Sequence, residues 1–137
     1  MASRSKARKR ALDLLYEAEQ RQVNALELLR DRLAAPVTEA PLNEFTVSLV
    51  EGVVEHWGDI NDALSTYAQG WSLDRMPAVD RAILRLGAYE VLFATDVPGP
   101  VAISEAVELA KQLSTDDSPA FVNGLLGRLL QVKPTLL

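Results

Sequence analysis

Arg4, Lys6, Arg8, Lys9 and Arg10 place five cations within seven positions, and no acidic residue interrupts them. Such a run neutralises several phosphates at once, which makes contact with a nucleic acid the chemistry it suits best. The alternative is a solvated terminus that only keeps the chain soluble. The rest of the sequence sharpens the contrast. Over 137 residues there are 14 basic and 19 acidic side chains and a formal net charge of −5, so a leader of +5 is joined to a body of −10. That body repels nucleic acid and attracts a basic partner.

Other chemistry is thinly represented. Tyr16 lies on the helical wheel near Lys9 and away from Ala7, Ala11 and Leu14. Its ring can stack on a base, fill a partner's pocket, or pack against the second helix. His56 is the only histidine and there is no cysteine, so neither a thiolate metal site nor a Ser-His relay can be assembled. Gly124 and Gly127 have the spacing of a helix contact, and no glycine-rich turn follows a strand. Asp116 and Asp117 precede Ser118 and Pro119, where carboxylates favour a helix N-terminus. Glu90 falls among Ile83, Leu86, Gly87 and Phe93, and a carboxylate there must be satisfied by partners, which reads as a structural lock. Phe121 sits at the edge of the stripe Val122, Leu125, Leu126 and Leu129, where periodicity favours core over contact surface. Catalysis is not expected, and neither is a cofactor.

The elements that must position these residues are helices. Apolar residues recur at helical spacing almost throughout, with no sustained alternation and no Asn-Gly or Asp-Gly hairpin signal. The spacing predicts helices over about 5–21 (Ala7, Ala11, Leu14, Leu15 and Ala18 inward), 24–34 (Leu26, Leu29 and Leu33 inward) and 43–56. Four more follow, over about 59–68 (capped by Asp59 after Gly58), 78–94, 103–113 and 118–132, the last opening on Ser118 and Pro119 and ending before Pro134. Pro36 and Pro41 bracket the one linker-like stretch. The expected fold is all-α, a single compact domain of about seven helices in two small bundles, about 1–70 and 71–137, with the Pro36 to Leu42 loop as a second place to divide them. No stretch approaches the roughly 18 apolar residues of a membrane span, and Asp13, Glu17 and Glu19 interrupt any secretory signal. A soluble, cytoplasmic protein without membrane contact is expected.

Three segments together resemble a known family: the leader KARKRALDLLY ending at Tyr16, MPAVDRAILRLGAYEVL from Met76, and VAISEAVELAKQLSTDDSPAFVNGLLGRLL from Val101. In this order and spacing they are similar to the NusB family of transcription antitermination factors, and STDDSPAFVNG is similar to actinobacterial members in particular. The resemblance implies a binding factor without catalysis. It would recognise single-stranded boxA RNA of ribosomal leader transcripts together with NusE, a small-subunit ribosomal protein, within an RNA polymerase antitermination complex. It implies RNA contact by Arg4, Lys6 and Arg8, with Lys9 and Arg10 as neighbours, and by Asp117 and Phe121 near the start of the last helix. Tyr16 and Asp80 match positions at the NusE face. A homodimer that covers the RNA surface until NusE arrives is an alternative state. On this basis Arg8→Ala is expected to weaken RNA binding, and Asp80→Lys to weaken NusE binding, both with the fold intact. Two rival readings remain: the NusB-like domain of an rRNA cytosine methyltransferase, which would need a longer chain, a methyl-donor site and a cysteine nucleophile, and a helical dimerisation module whose basic leader is incidental.

Overall fold

The computed structural model describes residues 2–35 and 42–136, and among them it contains seven α-helices and no strand. The helices are α1 (Ala2–Arg21), α2 (Ala25–Ala34), α3 (Glu44–Glu55), α4 (Trp57–Tyr67), α5 (Ala78–Leu92), α6 (Gly99–Leu113) and α7 (Ser118–Leu136), with a short 3-10 turn at Leu73–Arg75. Residues 36–41, which hold most of the anticipated proline loop, lie outside the described residues. The chain divides between Glu55 and His56. That is earlier than the division expected near residue 70 and later than the proline loop, because α4 packs on α5 and α7.

In the first unit, α1 packs against α2 and α3. All five small or aliphatic residues expected on the inner stripe of α1 are buried. Alanines at 7 and 11 let α3 approach closely enough for the buried Thr46 hydroxyl to donate to the Ala7 carbonyl at 2.9 Å. Asn24 caps α2 by accepting from the Leu26 and Glu27 amides, and Asn43 accepts from the Phe45 amide at the start of α3. On α2 the inner face is Leu28 and Leu29, whereas Leu33, expected inside, is 47% exposed. Arg32 donates two hydrogen bonds to Glu17, tying α2 to α1. Those bonds, reinforced by one from Arg21, hold the Glu17 carboxyl below its ordinary pKa.

In the second unit, α5 packs on α4, α6 and α7 and carries a larger share of the core than any other helix, as its apolar character suggests. Glu90 is buried within it, and no buried side-chain nitrogen or oxygen among the described residues lacks a hydrogen-bond partner. His56 stacks on Phe93, with ring centroids 3.9 Å apart and planes 7° from parallel, which gives the lone histidine a packing role. Among the helix ends that depart from expectation, three have a local reason. Helix α4 starts at Trp57, so Gly58 and Asp59 occupy its first turn, where a carboxylate favours the positive end of the dipole. Helix α6 starts at Gly99 because Pro100 falls in the first turn, whose amides have no partner to lose. Helix α7 continues through Pro134 to Leu136, since a proline this close to the end disrupts little of the ladder. Among the described residues no helix is long and apolar enough to cross a membrane.

At Gly87, α5 packs closely against both α6 and α7. A Cβ there would stand 2.6 Å from a Leu126 methyl and 3.3 Å from the Ala106 Cβ, with Leu126 fully buried. Gly87→Ala is therefore expected to cost about 1–3 kcal/mol, as overpacking does. Urea unfolding followed by circular dichroism measures this, and an unchanged midpoint would mean that α7 can shift to make room.

Candidate functional site

The cationic leader forms the first two turns and more of α1, and α3 determines how its charges are presented. Arg4 and Lys6 are exposed, Lys9 and Arg10 are half-exposed, and Arg8 is only 3% exposed. The guanidiniums of Arg4 and Arg8, one helical turn apart, lie 4.4 and 5.1 Å from the centroid of the same Phe45 ring. Cation–π attraction and a buried stem thus hold Arg8 in the α1–α3 seam. The expectation that Arg8→Ala leaves the fold intact fails for that reason, since the change removes packing as well as charge. Lys9 donates to both oxygens of Asp13 at 2.8 and 2.9 Å, a surface pair that partly offsets its charge. Arg4 and Lys6 are the two of the five whose side chains are exposed. Phe45, which organises two of them, was not singled out in the sequence; a single aromatic at the start of α3 reads simply as core.

Tyr16 is 38% exposed, which leaves its ring open to a partner rather than sealed against α2. Asp80 is placed otherwise. It is 4% exposed, and its two oxygens accept hydrogen bonds from the Ser114 and Ser118 hydroxyls. An exposed partner-face carboxylate is therefore not what position 80 presents, and Asp80→Lys cannot leave the fold unchanged. Ser118 points its hydroxyl into this cluster, with Thr115 and Ser114 as its other neighbours.

Asp80 and the next residue, Arg81, pin two loops to the N-terminus of α5. Asp80 holds the corner between α6 and α7. Arg81 donates from one guanidinium nitrogen to the carbonyls of Leu73 and Met76, at 2.7 and 2.9 Å, and so holds the segment after α4. Arg128 of α7 fixes the other end of that segment by donating to the Tyr67 carbonyl at 3.1 Å. Between these anchors the chain turns through left-handed backbone at Gln69 and Gly70, with φ of 47° and 90°. The turn delivers Trp71, 55% exposed, to the flank of Phe121, with ring centroids 6.2 Å apart and planes at 60°.

These two rings, with Met76 and Pro77, line a groove of about 230 Å³ whose polar margin includes Thr115 and Asp117. Phe121 is half-exposed there, so its place at the edge of the α7 stripe leaves it lining the groove rather than sealed in the core. Asp117 is exposed at the same groove. Trp71 is the residue that the sequence reading missed, and a tryptophan in a Gly-Trp-Ser turn, away from any apolar stripe, was its available signal. Among the described residues no group of histidines and carboxylates can hold a metal ion.

The chain was compared with known proteins. Residues 5–131 match the model of the NusB family. The transcription antitermination protein NusB of Beutenbergia cavernae is 61% identical, with 99% of this chain and 94% of that protein aligned. The corresponding protein of an Arthrobacter species is 58% identical over 100% of this chain and 99% of its own length. Among solved structures, Thermotoga maritima NusB superposes with a TM-score of 0.80 at 34% identity, covering 93% of this chain and 90% of that one. A crystal structure of antitermination factors NusB and NusE in complex with double-stranded RNA gives a TM-score of 0.81 at 27% identity, covering 96% of this chain and 98% of the matched chain. With a family model spanning nearly its whole length and relatives that align end to end, the chain belongs to the NusB family of transcription antitermination factors.

Proposed function

We propose that this protein binds single-stranded boxA RNA of ribosomal leader transcripts together with NusE and acts on elongating RNA polymerase, as a binding factor and not an enzyme. The observation that carries the reading is that one NusB-family chain holds both an exposed cationic leader and a surface aromatic groove fixed by buried polar anchors. Arg4 and Lys6 supply phosphate attraction, Lys9 and Arg10 add to the local field, and Arg8 holds the leader on Phe45. Phe121 and Asp117 meet the bases, which must be unstacked for an aromatic surface to reach them, hence the single strand. A structure of antitermination factors NusB and NusE with double-stranded RNA, which this fold matches, supports the two partner classes, protein and RNA.

NusE is proposed to meet the exposed ring of Tyr16 on an acidic chain that attracts a basic ribosomal protein. Asp80 contributes only by shaping its surroundings. Tyr16→Ala is expected to weaken NusE binding about tenfold or more, as truncation of an aromatic anchor does. The helical circular dichroism and binding of RNA alone should not change. Calorimetry with purified NusE makes the test, and wild-type affinity in the variant would remove Tyr16 from the interface.

A further inference from the structure

We infer that a second groove, at the C-terminal end of α5, is a docking site for an arginine side chain of a protein partner; this stands apart from the RNA-binding reading above. The groove lies within the second unit, has a volume of about 250 Å³ and is formed by α4, the end of α5 and the end of α7. Leu92, Leu136 and the rings of Tyr67 and Phe93 give it an apolar lining, and Asp59 and Asp62 stand at its margin. Phe93 is a helix length, about 20 Å, from the Asp80 end of α5, so this groove is separate from the one beside Trp71 and Phe121. Its walls are fixed in advance. His56 stacks on Phe93 with the planes 7° from parallel, and Arg128 ties the end of α4 to α7 by donating to the Tyr67 carbonyl at 3.1 Å.

Size and charge select the occupant. The volume falls below the roughly 300–1,000 Å³ of small-molecule pockets and suits one large side chain. Asp59 and Asp62, one turn apart on α4, are both exposed, and neither side chain is hydrogen-bonded or ion-paired to another described residue. Open carboxylates beside an apolar lining call for a side chain that buries a long stem and carries a cation at its tip. A phosphate or carboxylate is repelled there, and an aliphatic side chain would cover the carboxylates without giving them a donor. Lysine and arginine both meet the requirement, but only the planar guanidinium can stack on a ring and also donate two parallel bonds to a carboxylate. The acidic body of the chain steers a basic protein toward such a site.

The test titrates the isotopically labelled full chain with acetyl-arginine-amide, acetyl-lysine-amide, acetyl-citrulline-amide and spermidine, and follows the amide chemical shifts. The arginine probe is expected to give saturable shifts confined to the amides around Asp59, Asp62, Tyr67 and Phe93, with a dissociation constant of about a millimolar, which is what a ligand of that size reaches. Citrulline has nearly the same shape without the charge and should give no shift. Asp59→Asn combined with Asp62→Asn should weaken arginine binding about tenfold or more, as losing hydrogen bonds to a charged group does. Both positions are exposed, so the rest of the spectrum should stay unchanged. Phe93→Leu, which keeps the lining apolar but removes the ring, should bring arginine binding down to the level of lysine. Absence of saturable shifts, shifts scattered over the acidic surface, or shifts at the groove that survive the double asparagine variant overturn the proposal. Binding of lysine, citrulline or spermidine at the groove as tight as that of arginine overturns it equally.

Discussion

Asp80→Lys should lower the thermal midpoint by about 10 °C or more. The Asp80 carboxylate is buried and accepts from two serine hydroxyls, so the substitution leaves those hydroxyls without their acceptor and puts an unpaired ammonium in their place. Breaking a buried charged network in this way costs about 3–5 kcal/mol, and in a domain of this size each kilocalorie moves the midpoint by a few degrees. Asp80→Asn keeps one good acceptor and should cost only about 1–2 kcal/mol. Thermal denaturation followed by circular dichroism separates the two variants. A lysine variant as stable as wild type would show that Asp80 is not the anchor of the corner between α6 and α7, and would return it to the role of a surface contact.

The second large effect concerns the leader. With Arg4 and Lys6 both changed to alanine, RNA affinity should fall about tenfold or more at low salt while the helical signal remains. Each phosphate contact to a single strand contributes about 0.7 to the slope of log affinity against log salt, so losing two should flatten that slope by about 1.4. These two residues are the right probes because both are exposed. Arg8→Ala should weaken binding and lower stability together, since Arg8 is buried against Phe45. An Arg4/Lys6 double variant with an unchanged salt slope would reduce the leader to a solubilising terminus.

How far the sequence could be read depended on what each feature required. Periodicity located all seven helices because a helix of a protein this size must bury one stripe, and Ala7, Ala11, Leu14, Leu15 and Ala18 could face nowhere else. Caps were harder to place: Asp59, expected to cap α4, lies inside its first turn, while Asn24 and Asn43, which do cap their helices, drew no such expectation. Periodicity failed where a neighbouring element decides the outcome. Leu33 falls on the α2 stripe but is left exposed, and Leu28 takes its place inside. Arg8 reads as an ordinary surface cation, and only the arrival of Phe45 from α3 buries it. Asp80 matches a position at a partner face, yet the two serines that enclose it come from a corner more than thirty residues away. Trp71 was hidden for the same reason, because its neighbour Phe121 belongs to α7 and the turn that exposes it is held by Arg81 and Arg128. The division of the chain after Glu55 falls near Gly58, but that glycine reads only as a break between two helices; what makes it a division between units is which helices α4 packs against.

The central claim is sequence-specific RNA binding strengthened by NusE. Its most direct test is an anisotropy titration of labelled boxA RNA and a scrambled strand of equal length, each with and without NusE, at two salt concentrations. The account predicts tighter binding of boxA than of the scrambled strand, a preference that grows when NusE is added, and weaker binding of both strands at the higher salt. Equal, weak binding of the two strands with and without NusE would contradict it.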